Sequence, residues 1–472
     1  YGIDFSSKAM SCFEKAPHCG GIMYEGDDDK ISKFFVMIDR TLQHRKKILR
    51  GGNYSQYVQV NGVTMPAIII AIDNYGAFNQ KTGEKYNDFI IALSKEGVSH
   101  GIYLILTGST IAAAEVPMRV AENILHNITM EMADKFAYAD VMNVTRVEVV
   151  PESGIKGRGL AASGSDILEY QMCLALQAND DYQRVEKITD VCIAMADAWD
   201  GKKARAIPEI PERPVWSEYH TCDDYLESVE SPDVLMVGYK SEDALLYGID
   251  LRQTYCYLIS GSPRSGKKNY LKVVLQAALE KVADVCVIDS PDNILSAYSE
   301  EENLSYINSE SGIFDYFNKL APEFVRRNKI KKELVAKDAE EDEIFNTLSK
   351  EKPIFIFIAD FAWFIESVHS SEFDMVGFLE NIIEKGRLHN IYFITQMKSE
   401  RRNDVDYRRL YELFVSYKTG MYFGGNVGSC RIFDFGSIPY KEQSVVLKPG
   451  VGYSAGVMAA DIMKVVVPIA RR

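Results

Sequence analysis

Apolar residues follow two periods along this chain, and the two alternate. Short unbroken runs such as Ala67–Ile72 and Ile354–Ala359 predict strands buried in a sheet. Between the runs, apolar residues recur at three- and four-residue spacing with charges elsewhere, which predicts amphipathic helices. In DYQRVEKITDVCIAMADAWDG the repeat is Val185, Ile188, Cys192, Ala196 and Trp199, and Gly201 is placed to stop the helix. Alternating strands and helices predict an α/β fold of mostly parallel sheets flanked by helices. None of the runs approaches the roughly 18 residues of a membrane span, and YGIDFSSKAM has neither the basic region nor the apolar core of a signal peptide.

The pattern occurs twice. YGIDFSS (Tyr1–Ser7) matches VCVIDSP (Val285–Pro291), each an apolar strand ending in Ile-Asp. DRTLQHRKKIL (Asp39–Leu49) parallels PEFVRRNKIKKEL (Pro322–Leu334), and PAIIIAIDNYGAF (Pro66–Phe78) parallels PIFIFIADFAWFI (Pro353–Ile365). FIIALSKEGVSHGIYLILTGST (Phe89–Thr110) parallels FLENIIEKGRLHNIYFITQMKS (Phe378–Ser399), and GRGLAASG (Gly157–Gly164) resembles GVGYSAG (Gly450–Gly456). The spacings Asp73–Thr107 and Asp360–Thr395 differ by a single residue, which favours a duplicated module over coincidence. The second copy carries a further strand and a glycine loop ahead of Val285. The first copy is therefore expected without its own phosphate loop.

Three parts are expected: a first module at 1–205 lacking its N-terminal phosphate-loop part, a linker at 206–232, and a second, degenerate module at 233–472. Within the linker, IPEIPERPVW (Ile207–Trp216) has prolines at 208, 211 and 214 and favours a semi-rigid strap.

Charge narrows the partners. A net charge of −14 repels a phosphate backbone unless basic residues gather on one surface. The short clusters Arg45–Lys47, Arg326–Lys332 and Arg401–Arg402 read as solvated helix faces, as does the acidic run Asp338–Glu343. The eight cysteines form no C-x-x-C pair and no metal-ligand grouping, and read as reduced thiols of a cytosolic protein.

The sharpest chemical signal is YLISGSPRSGKKNYL. An apolar strand from Tyr257 leads into Gly261-Ser262-Pro263-Arg264-Ser265-Gly266-Lys267, followed by Lys268, Asn269 and an amphipathic helix. This is G-x-x-x-x-G-K, in which small residues let backbone N–H groups converge on phosphate and the lysine adds a mobile cation. It makes both copies RecA-like P-loop NTPase modules in tandem. Where the full motif has a hydroxyl to ligate Mg²⁺, this chain has Lys268, an ammonium that repels the ion. Asp73 and Asp360 end apolar strands as degenerate Walker B aspartates. A hydrolytic site would follow with a glutamate; here Asn74 and Phe361 follow, and neither can take a proton from water. Thr107, Thr395 and Gln396 end the next strand, where a polar group can sense a terminal phosphate or close a local turn. Arg158 and Arg387 could reach across a subunit boundary, although surface salt bridging suits both better.

Taken together, these residues resemble the C-terminal half of the EssC-type FtsK/SpoIIIE-family ATPases of the type VII (WXG100) secretion system. The resemblance covers essentially the whole chain. It rests on the tandem modules, on YGIDF followed by PHCGG (Pro17–Gly21), on RKKIL and IIIAIDN, on GRGLA followed by ILEYQ (Ile167–Gln171), and on IPEIPE, in that order. It implies a membrane-anchored motor at the cytosolic face of the cell membrane, with ATPase modules in a row, the first competent and the later ones degenerate. It implies ATP as the cofactor, with Mg²⁺ held weakly in the second module and hydrolysis poor. As partners it implies WXG100-type secreted proteins bound through a C-terminal signal, neighbouring ATPase modules, and further copies in a homo-oligomeric ring. A DNA translocase of the same superfamily would show G-K-[ST], an Asp-Glu pair and basic loops, and all three are missing. A nucleotide-free scaffold is disfavoured by Gly261, Gly266, Lys267 and Asp360.

Overall fold

The computed structural model describes residues 1–111, 115–163, 166–456, 458 and 461–471; Gly164, the last residue of the GRGLAASG repeat, lies outside them. The chain divides into two compact units, Tyr1–Glu209 and Ile210–Arg472, and the division falls among the prolines of the strap.

In the first unit, β1 (Gly2–Asp4), β2 (Ile22–Tyr24), β3 (Ile68–Asp73) and β4 (Ile102–Leu106) form a parallel sheet in the order β2-β1-β3-β4. Helix Asp28–Leu49 covers one face with Ile31, Phe34, Phe35, Ile38 and Leu42, the i, i+3, i+4, i+7 stripe of its sequence. Acidic residues begin this helix and Lys46 and Lys47 end it, matching its dipole. The sequence predicts β3 as a buried strand, and only two of its six residues are: Ile70 and Ile72 are buried, whereas Ile69 is 53% exposed. The second unit covers the equivalent face with helix Lys267–Leu279, which has no counterpart among the described residues of the first. A hairpin of β5 (Arg158–Ser163) and β6 (Asp166–Gln171) stands as a separate sheet.

Among its described residues the second unit carries ten strands: β7 (Val234–Lys240), β8 (Leu246–Asp250), β9 (Cys256–Gly261), β10 (Asp284–Ile288), β11 (Leu304–Ile307), β12 (Ile354–Ile358), β13 (Ile391–Gln396), β14 (Thr419–Phe423), β15 (Val451–Ala455) and β16 (Lys464–Val466). Their order is β11-β10-β12-β13-β9-β14-β15-β16-β7-β8, parallel through β14 and antiparallel beyond it. The run β11-β10-β12-β13 has the order of β2-β1-β3-β4. Alternation along β12 sends Ile354, Ile356 and Ile358 to one core and Phe355 and Phe357 to the other, so the sheet is covered on both faces as a continuous apolar strand requires. Helices Glu310–Val335 and Val376–Lys385 close the first core, and Lys267–Leu279 the second. Two short helices, Trp216–Tyr219 and Asp223–Val229, pack Trp216, Tyr219 and Tyr225 into the second core, which confines the extended strap to the residues before Trp216.

Both units use the same buried arginine. Arg45 donates to the carbonyls of His100, Gly101 and Pro66, just ahead of β4 and β3. Arg327 donates to those of His389, Asn390 and Lys352, just ahead of β13 and β12. Both belong to clusters expected to be solvated, and both are at most 4% exposed. A guanidinium fork can donate at once to several carbonyls at the entry to two strands, and that gain outweighs the pull toward water.

His389, at the turn into β13, is buried with neither ring nitrogen partnered among the described residues, its ring edge-on to Phe324 at 4.8 Å. Burial, reinforced by Lys331 and Arg327, pushes its pKa down to about 3. The unfolded chain takes up this proton near pH ~6.5 while the folded chain resists it. Stability of the second unit is therefore expected to fall as pH drops from about 6.5 toward 3. His389→Leu should flatten that limb in urea midpoints measured against pH; parallel limbs in variant and parent would assign the acid sensitivity elsewhere.

Candidate functional site

In the second unit the glycine loop lies where the sequence puts it, between β9 and helix Lys267–Leu279. Two glycines are demanded by geometry. Gly261 has φ 134°, and a Cβ there would lie 2.0 Å from the Phe423 carbonyl; Gly266 has φ 111°, with the Gly450 nitrogen 2.9 Å from such a Cβ. The Ser262 N–H donates to Phe423 O at 2.9 Å, and Ser265 Oγ donates to Ser262 O at 2.7 Å. Among the described residues no acceptor takes the backbone N–H groups of Ser265, Gly266, Lys267 or Lys268. Four free donors at a helix N-terminus form an anion seat.

Lys267 folds back over its own loop. Its Nζ donates to Gly261 O at 2.5 Å and Ser262 O at 2.7 Å. It is 9% exposed, and burial lowers its pKa. Lys268 and Arg264 are exposed beside it. Asn269 turns away from the loop: its amide clamps the C-terminal segment, donating to Pro468 O at 2.8 Å and accepting from Ala470 N at 2.9 Å.

Asp360 is buried at the end of β12, which β13 separates from β9, caps helix Phe361–Ser370 through the Trp363 N–H at 3.2 Å, and keeps its other oxygen 3.7 Å from Lys398 Nζ. Phe361 points into the core, 4.4 Å from the ring of Phe414, so no proton acceptor stands beside Asp360 at this position. Thr395 Oγ1 is spent on Ile358 O at 2.8 Å. Gln396 and Ser260, flanking the loop, bury Oε1 and Oγ without a partner among the described residues. Sequence reasoning passed over Lys398, Asp292 and Ser399; the signal was a basic residue just past the end of β13. The Lys398 ammonium meets Asp292 at 2.7 Å, and Ser399 Oγ donates to Gly261 O at 2.7 Å.

In the first unit, Thr107 Oγ1 donates to Asp73 at 2.5 Å and accepts the Asn74 N–H at 3.1 Å. Asn74, in the left-handed region at φ 57°, spends its side chain capping helix Tyr75–Lys81 and reaching Phe5 O. Arg387 forms a paired ion bridge to exposed Glu341, and Arg158 meets Glu169. Asp4 and Asp289, at the ends of β1 and β10, each bind three backbone N–H groups of the turn that follows.

The donors fit a phosphate chain: free N–H groups and a buried lysine stand together at one strand–helix junction. They do not fit Mg²⁺, because Lys268 stands at the hydroxyl position and an ammonium already faces Asp360. Among the described residues no group of three His, Cys, Asp or Glu side chains could hold a metal ion.

A glycine loop leading from a parallel strand into a helix, with an aspartate ending the strand beyond β13, defines a RecA-like P-loop module, here in the company of a second α/β unit. The chain's homologues are EssC/EccC type VII secretion ATPases, and its structural neighbours are ATPases 2 and 3 of such proteins, as the resemblance implied. The ESX secretion system protein EccC of Geobacillus thermodenitrificans (strain NG80-2) is 24% identical over 317 residues, which is 66% of this chain and 21% of that protein. The solved EssC ATPases 2 and 3 from Geobacillus thermodenitrificans match all of this chain and 85% of theirs with a TM-score of 0.76 at 18% identity. Thermomonospora curvata EccC ATPases 2 and 3, solved in complex with a signal sequence peptide, match all of this chain and 82% of theirs with a TM-score of 0.57 at 15% identity. None of the family models compared with the chain matches it. The chain spans about a fifth of the length of the curated relatives it matches. No helix among the described residues is long and apolar enough to cross a membrane.

Proposed function

We propose that the chain supplies C-terminal ATPase-type modules of a membrane-anchored type VII secretion motor. The second module binds ATP with weak or no hydrolysis, and the pair contributes to recognising and exporting WXG100-type proteins through a C-terminal signal. The observation that carries this reading is the contrast within one site. The phosphate cradle keeps its glycines, its free N–H groups and Lys267, while the place of a water-activating glutamate is taken by Phe361, packed into the core. The signal peptide in the Thermomonospora curvata complex supports the substrate half of the proposal.

The test is a titration of the whole chain with a labelled C-terminal peptide of a WXG100-type protein and, separately, with duplex DNA at physiological salt. Saturable peptide binding without DNA binding is expected, in keeping with the net charge of −14. DNA binding that survives added salt, with no response to the peptide, would transfer the chain to the DNA translocases.

A further inference from the structure

Asp360 is a carboxylate 3% exposed at the end of β12. A buried anion needs a countercharge, and in a phosphate-loop site a divalent metal commonly provides it. Here the countercharge comes from the chain. We propose that the second unit takes a nucleotide's phosphate chain without a divalent metal, with Lys398 as the resident cation of the site. This rests on the nucleotide-binding reading above.

Three observations lead there. First, Lys398 Nζ lies between two carboxylates, 2.7 Å from Asp292 and 3.7 Å from Asp360. The hydrogen bond to Asp292 raises its pKa, which keeps it charged at working pH. Second, its position is built into the fold. It follows β13 after Met397 alone, its neighbour Ser399 donates to the first carbonyl of the glycine loop at 2.7 Å, and Arg401 anchors the same turn to Glu366 at 2.6 Å. The turn therefore holds an ammonium between the end of β12 and the loop. Third, a metal arriving here would meet an existing set of cations. Lys268 replaces the hydroxyl ligand, and the Asp292 carboxyl is held below its usual range by Lys398 first, with Lys268 and Arg401 adding to the effect. A divalent ion would have to displace Lys398 from Asp360 and accept repulsion from Lys267 and Lys268, whereas phosphate oxygens gain from all three.

Equilibrium titration of the whole chain with a fluorescent ATP analogue, in EDTA and in millimolar Mg²⁺, decides the matter. The two dissociation constants should agree within about twofold. Lys398→Ala should weaken binding about tenfold in EDTA and recover most of it in Mg²⁺, since the ion can then reach Asp360. Lys398→Arg should keep the parent's indifference to metal. Parent binding about tenfold or more tighter in Mg²⁺ would overturn the resident-cation role while leaving nucleotide binding in place. Absence of binding in both media would instead defeat the nucleotide reading on which the proposal rests, and the proposal with it.

Discussion

Arg327→Ala is expected to cost the second unit about 3–5 kcal/mol, the range for removing one partner of a buried charged network. The guanidinium is 2% exposed and serves four acceptors: the carbonyls of His389, Asn390 and Lys352, at 2.9, 3.1 and 2.8 Å, and Glu323 at 2.6 Å. Those carbonyls stand where the chain enters β13 and β12, the strands that carry Gln396 and lead to Asp360. Alanine would leave the His389 and Lys352 carbonyls without that donor, while Asn390 O keeps the Ile354 N–H, at about 1–3 kcal/mol for each group that finds no water. It would also remove a polar tie between helix Glu310–Val335 and the sheet it covers. Arg327→Lys should recover little, because one ammonium cannot fork to carbonyls on two strands. Urea unfolding can be read separately in the two units: Trp199 belongs to the first, and Trp216 and Trp363 to the second. In a Trp199→Phe background, a midpoint shift worth less than about 1 kcal/mol would mean that water replaces the arginine easily. Arg45→Ala, read through Trp199 with the other two tryptophans replaced, should produce the corresponding loss in the first unit.

What the sequence made legible follows from which constraints are local. The glycine loop could be read because Gly261 and Gly266 occupy backbone conformations and close approaches that a Cβ would prevent, and a backbone demand of that kind writes itself into residue type at fixed spacing. β12 could be read because a strand covered on both faces has no polar position. β3 has nearly the same composition but only one covered face, and six apolar residues in a row look alike in either case. The buried arginines were illegible for a related reason: a basic residue on an amphipathic helix normally faces water, and only the carbonyls ahead of two distant strands draw Arg45 and Arg327 inward. Direction of side chains was the other loss. Asn74, Thr395 and Asn269 sit at or beside the two sites, yet each hydroxyl or amide serves a backbone group nearby, as polar residues at strand ends and helix starts commonly do. Lys398 escaped notice because its meaning comes from two carboxylates, on β12 and beyond β10, far from it in sequence.

Lys267→Ala is expected to weaken ATP binding by about 10- to 100-fold, whereas Asp360→Ala should change it less than about fivefold. The asymmetry comes from what each residue faces. Lys267 is the buried cation of the loop, and its Nζ now rests on two loop carbonyls that an incoming phosphate would outcompete, because an ammonium gains more from an anionic oxygen than from a neutral one. Asp360 already faces Lys398 and has no hydroxyl ligand opposite it, so little affinity should depend on a metal held there. Its loss mainly removes the cap on helix Phe361–Ser370, at about 1 kcal/mol of stability. Equilibrium titration of both variants, with folding checked by circular dichroism, should separate them. Equal losses would return Asp360 to metal coordination, contrary to the geometry around it. Steady turnover by the parent chain should lie near background, since Phe361, packed into the core where a water-activating glutamate would stand, cannot take a proton from an attacking water. Robust turnover abolished by Lys267→Ala would require a base from outside this unit, and would make the second module an engine in its own right.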